Sequence, residues 1–81
     1  MINYEDVLLE LVKPMCDDKN NVSVKRMETL NENEVLLYVY APGNDIARLI
    51  GKQGSMASSI RTMMQAASSK GQRIVIKFEA L

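Results

Sequence analysis

Apolar residues recur along this chain with two different periods, and the places where the period changes mark its elements. Tyr4, Val7, Leu8, Leu11, Val12 and Met15 fall at helical spacing and predict one amphipathic helix. Asn3 stands where a side-chain oxygen can accept the first free amides, and Glu5 and Asp6 suit the positive end of that helix. Pro14 either ends the helix near Lys13 or distorts a last turn that reaches Cys16. Asp17 to Asn21 is a polar loop. From Val22 through Val24 to about Glu28 the period drops to two, Asn31-Glu32-Asn33 is a turn, and Val35 to Ala41 is rich in β-formers. The pair predicts a hairpin. Its second strand is apolar on both faces, with Val35, Leu37 and Val39 on one and Leu36, Tyr38 and Tyr40 on the other. One face must cover the helices. The other is a partner surface or is sheltered by neighbouring side chains, and both readings stand.

Pro42-Gly43 breaks the strand, and Asn44 or Asp45 is the expected cap of a short helix through Ile50. Beyond Gly54 a second helix starts at about Ser55 and runs to about Ser69. Met56, Ala57, Ile60, Met63, Met64 and Ala67 form its stripe, with the methionines expected as core filling. Lys70-Gly71 closes that helix. Ile74, Ile76 and Phe78, alternating with Arg73, Val75 and Lys77, predict a last strand. The order is α-β-β-α-α-β, so the expectation is one α+β domain over residues 1–81: a three-stranded sheet with helices packed on one face.

Between the two later helices lies Gly51-Lys52-Gln53-Gly54. Gly51 can stop a helix because it reaches φ > 0 without a Cβ clash. Gly54 permits a sharp turn or a close approach to the backbone. The amides that open the next helix face the Lys-Gln pair and favour an anion. The turn therefore suits a phosphate, although a helix-turn-helix link of this kind needs no ligand.

Ten basic and ten acidic side chains give zero net charge, so overall charge announces no partner. The distribution is lopsided, however. Residues 1–45 carry nine acids and four bases, whereas residues 46–81 carry six bases and Glu79 alone as acid. The glycine turn belongs to the basic half, and the local field governs an encounter more than the total does. The single cysteine, Cys16, forms no internal disulfide, which suits a reducing compartment, and its expected role is that of a small buried hydrophobe. The acidic N-terminus lacks the basic region and apolar run of a signal peptide, and no stretch is long enough to span a membrane. A soluble cytoplasmic protein is expected.

Several chemistries are poorly supplied. With no histidine and scattered carboxylates, the chain offers no acid–base pair or activated nucleophile, so no catalytic residues and no enzyme are expected. No metal, cofactor or small-molecule substrate is indicated. Gly43 and Gly51-Lys52 do not make a P-loop, because Gln53 follows the lysine where a Mg²⁺-binding hydroxyl belongs. An RNA-recognition motif would need the order β-α-β-β-α-β. Tyr38 and Tyr40 are the only candidates for its sheet aromatics, and half-buried packing is their expected role.

Ile50-Gly51-Lys52-Gln53-Gly54, followed by Ala57 and Ile60, resembles the KH-domain signature, a hydrophobic-Ile-Gly-x-x-Gly turn between two helices. The element order resembles the type II, prokaryotic KH fold, and the stretch from Ala41-Pro42 to Thr62 is similar to the small bacterial single-KH proteins, the KhpA-like group. The resemblance spans essentially the whole chain. It implies a clamp for about four nucleotides of single-stranded RNA, held between the turn and an apolar groove. Gly51 and Gly54 would admit the sugar–phosphate chain, Lys52 would supply a point charge and Gln53 a hydrogen-bond donor. Ile50 and Ala57 would line the groove, Ile60 would be its floor or plain core, and Ser55, Arg48 and Arg61 would lie along it. Relatives often carry basic residues where this chain has Ser55 and Ser58, so less positive charge faces the strand. The family further implies an RNA chaperone that acts as a homodimer or with a KhpB/Jag-like KH protein, in post-transcriptional regulation linked to cell elongation and envelope homeostasis. The rival expectation is a protein-interaction subunit on a KH scaffold whose RNA contact is vestigial.

Overall fold

The computed structural model describes residues 3–68 and 71–81. Asn3 opens the first helix as its side chain suggests: Oδ1 accepts the amides of Glu5 at 3.0 Å and Asp6 at 3.3 Å. Helix α1 runs Tyr4–Val12 and buries Tyr4, Leu8 and Val12. Pro14 has no amide to donate, so the regular helix stops at Val12 and a 3-10 turn, Lys13–Met15, follows. Both outcomes expected of Pro14 are thus present in succession. Cys16 is buried and its thiol donates to the Val12 carbonyl at 3.4 Å. Burial pushes the thiol pKa up, and the nearby Asp45 carboxylate adds to the effect.

Strand β1, Ser23–Met27, and strand β2, Glu34–Ala41, form the antiparallel hairpin, with Ser23 opposite Tyr40 and Met27 opposite Leu36. Strand β3, Arg73–Ala80, lies parallel to β2 on its other edge, giving the order β1-β2-β3. Parallel neighbours cannot be joined by a tight turn, so the chain must cross one face of the sheet. Helices α2, Gly43–Ile50, and α3, Ser55–Ala67, make that crossover. The glycine turn is its midpoint.

The order α-β-β-α-α-β and the three-stranded mixed sheet are those of a type II KH fold. Val35, Leu37, Val39 and Ala41 point inward with Ile74 and pack against Leu8, Val12, Leu49, Ile60 and Met64. Each fully buried Leu or Ile contributes roughly 1.5–3 kcal/mol, so this layer dominates the stability. Gln65 ties α3 to the start of β3: its Nε2 donates to the Gln72 carbonyl at 2.7 Å and its Oε1 accepts the Ile74 amide at 2.9 Å. Leu36, Tyr38 and Tyr40 occupy the opposite face and stay half-buried. Among the described residues no helix is long and apolar enough to cross a membrane.

Three expectations are corrected. Helix α2 starts at Gly43 without a side-chain cap, and neither Asn44 nor Asp45 opens it. The Pro42 carbonyl accepts the amides of Asp45 and Ile46, each at 2.9 Å, because proline already holds the extended backbone that precedes a helix. Second, only Met64 of the α3 methionines is core; Met56 is 38% exposed and Met63 48%. Ile60 and Met64 carry the buried line, while Met56 lies in the first turn, where the core has run out. Third, α3 ends at Ala67, earlier than expected, with Ser68 already extended. Ser69 and Lys70, where the end was placed, lie outside the described residues.

Candidate functional site

The turn between α2 and α3 has a backbone that few residues tolerate. Gly51 has φ 76° and ψ −179°, a region open almost only to glycine. Its amide still donates to the Ala47 carbonyl at 3.0 Å, so it ends α2 and turns the chain in one residue. A β-carbon there would meet Cβ of Met56 at 2.7 Å and its amide nitrogen at 2.9 Å. Gly54 has φ 77° and ψ 11°, yet a β-carbon on it would meet nothing within 4 Å. Gly51 thus answers to both conformation and space, Gly54 to conformation alone. Gln53 lies between them with φ 56° and ψ 28°, the single non-glycine residue at positive φ among the described residues. Such a conformation costs about 1–2 kcal/mol for an ordinary side chain.

This backbone holds Lys52 and Gln53 outward, both exposed. Helix α3 starts at Ser55, and no described side chain caps it. Its first-turn amides therefore add a positive partial charge beside Lys52. Ile50 and Met56 flank the turn, 37% and 38% exposed, and Ala57 is half-buried on the next step of α3. Ser55 and Arg61 are exposed, and Arg61 follows Ala57 by one helical turn, on the same face. The structure thus sets Ile50, Lys52, Gln53, Ser55 and Met56 at the turn itself, with Ala57 and Arg61 on one face of α3 beyond it. Ile60 is fully buried and is core, not groove floor.

Arg48 is placed differently. Its Nη1 donates to Asp17 Oδ1 at 2.8 Å, with both side chains more than half exposed. The Arg48 hydrogen bond and charge hold the Asp17 carboxyl below the usual carboxylate range. Beneath this pair lies Asp45, fully buried, whose two carboxylate oxygens accept the amides of Asp17 at 2.9 Å and Asp18 at 3.1 Å. Asp45 is not a helix cap but the anchor of the loop after α1, fastening it to α2. Sequence reasoning missed Asp45 and Met56. Asp45 lies 28 residues from Asp17, and no local pattern announces so distant a partner. Met56 had a usable signal, its position directly after the Gly-x-x-Gly turn.

A surface hollow of about 420 Å³ lies by the β1–β2 turn, lined by Glu5, Arg26, Glu28, Glu32 and Glu34 among others. Its carboxylates make it the wrong place for a phosphate. The glycine turn has the opposite sign, from Lys52 and the uncapped start of α3.

Residues 5–78 match the family model described as KhpA/KhpB, KH domain. Curated relatives include the RNA-binding protein KhpA of Listeria monocytogenes, 33% identical over 69 residues that cover 85% of this chain and 88% of the relative. The RNA-binding protein KhpA of Bacillus subtilis is 32% identical over 73 residues, covering 90% and 88% respectively. The RNA-binding protein KhpA of Aquifex aeolicus is 30% identical over 78 residues, covering 95% and 96%. No solved structure matches the chain at a significant level.

Proposed function

Because this chain belongs to the KhpA/KhpB family of KH domains, we propose that it binds single-stranded RNA across the Gly51–Gly54 turn. The observation that carries the reading is the backbone of that turn, which exposes Lys52 and Gln53 beside an uncapped helix N-terminus and an apolar flank. Gly51 and Gly54 admit the sugar–phosphate chain, Lys52 neutralises a phosphate, and Gln53 donates a hydrogen bond. Ile50, Met56 and Ala57 give a base an apolar surface, and Ser55 and Arg61 extend the contact along α3. The names of the relatives support RNA as the ligand.

The contact is small. With about three phosphates neutralised, the log–log dependence of affinity on salt has a slope of about −2. A single module of this size binds weakly and with little base selectivity, so useful affinity comes from joining two of them. A homodimer, or a pair with a KhpB/Jag-like KH protein, fits that need. An RNA-chaperone role in the cytoplasm, in post-transcriptional regulation linked to cell elongation and envelope homeostasis, follows from the family resemblance.

The test compares wild type with a Lys52→Asp, Gln53→Asp double variant on a pool of short single-stranded RNAs at low salt. Both glycines are kept, and aspartate tolerates the positive φ at position 53. Binding by wild type alone, with the stated salt slope, supports the clamp. Equal binding by both moves the site elsewhere. Binding by neither, with both folded, leaves a protein-interaction subunit on a KH scaffold.

A further inference from the structure

We propose that the outer face of the sheet is a second contact for single-stranded RNA, where unpaired bases stack on Tyr38 and Tyr40. The inference rests on the RNA-binding reading above but concerns the side of the sheet that the helices and the glycine turn do not occupy. Helices cover Val35, Leu37, Val39 and Ala41, and alternation along β2 sends Leu36, Tyr38 and Tyr40 to the opposite face. The two tyrosine rings lie 6.1 Å apart at an interplanar angle of 29°, a stack that an unpaired base can extend.

Register decides what surrounds them, because directly opposed residues share a face. Lys25 on β1 and Lys77 on β3 both oppose Tyr38, so an exposed lysine stands on the neighbouring strand on each side of it. Met27 and Val75 oppose Leu36 and make an apolar row. Ser23 and Glu79 oppose Tyr40, and Glu34 at the end of the strand is matched by Arg73. An aromatic platform between two lysines is the chemistry that holds a single strand: the rings take bases of any sequence and the ammonium groups take phosphates.

A second copy of the chain fits this face poorly. Two strands of eight residues and one of five, about 4.8 Å apart, offer roughly 330 Å². That is less than half of what a stable protein–protein interface buries on each partner. Single-stranded RNA needs only enough area for two or three bases, and it supplies the negative charge.

The experiment uses the full chain, a 12-nucleotide oligouridylate and an abasic oligomer of the same backbone. The chain has three tyrosines and no tryptophan, and Tyr4 is buried out of a ligand's reach, so quenching of tyrosine emission by a stacked base reports on Tyr38 and Tyr40. Oligouridylate is expected to quench it. A Tyr38→Ala, Tyr40→Ala double variant is expected to bind oligouridylate at least about fivefold more weakly. The Tyr38→Phe, Tyr40→Phe variant should bind it like wild type, and the abasic oligomer should bind all three alike. Wild-type binding with unchanged emission overturns the proposal and leaves the glycine turn as the RNA site; it decides the matter even where the alanine variant fails to fold. No wild-type binding at all removes the RNA reading itself. A concentration-dependent dimer lost on Tyr38→Ala assigns the face to a second copy and also overturns the proposal.

Discussion

A β-carbon on Gly51 would lie 2.7 Å from Cβ of Met56, closer than two such carbons can approach. The contact comes from folding α3 directly back over the end of α2, and it makes the two glycines of the turn unequal. Gly51→Ala meets both a glycine-only backbone and a clash, and should cost about 3 kcal/mol or more. Gly54→Ala meets open space and a left-handed backbone, and should cost about 1–2 kcal/mol. Urea unfolding of the two variants checks the ranking; equal losses would show that the Met56 contact is relieved cheaply.

Gln53 offers a change that separates binding from folding. Gln53→Gly relieves positive-φ strain of about 1–2 kcal/mol but frees the unfolded chain by about 0.4–1 kcal/mol. Stability should therefore stay within about 1 kcal/mol of wild type or rise slightly. RNA affinity should fall if the amide side chain donates to the strand. Thermal unfolding and a binding titration on the same sample read both.

Asp45 joins two distant parts of the chain through the amides of Asp17 and Asp18. Asp45→Ala leaves those amides without their acceptor and should cost about 2–4 kcal/mol. Asp45→Asn keeps one acceptor oxygen and should recover part of the loss. Hydrogen exchange at residues 17 and 18 is the sharper readout, since those amides should lose protection before the rest of the fold does.

Asp17 holds the Arg48 guanidinium in an exposed ion pair. Asp17→Asn removes one negative charge and frees the guanidinium, so RNA affinity at low salt should rise about two- to threefold. The pH dependence has a definite sign. The folded-state pKa of Asp17 is lowered, so the contribution of the pair is present above the unfolded value and lost as pH falls through the folded one. Both groups are solvent-exposed, so stability should hardly move across that range. Carboxyl chemical shifts followed through the acid range should show Asp17 titrating below the usual carboxylate range in the wild type and moving back toward it in Arg48→Ala.

The sequence alone carried the three α-helices, the three strands and their order, because period and punctuation are local. The stripe of Tyr4, Leu8 and Val12, the alternation of Val35, Leu37 and Val39, and the breaks at Pro42-Gly43 and Gly51 need only neighbours a few residues away. The glycine turn was legible for the same reason. Tertiary structure decided what those elements do with their polar and borderline residues. It buried Asp45 under a loop 28 residues earlier, bound Arg48 to Asp17, and sank Ile60 into the core. Met56 and Met63 emerged into solvent although their stripe pointed inward. It also set Lys25 and Lys77 on either side of Tyr38, through a register that joins residues 13 and 39 positions away along the chain. Local pattern tells a residue which way to face on its own element. Only the packing of elements far apart in sequence determines what it meets there.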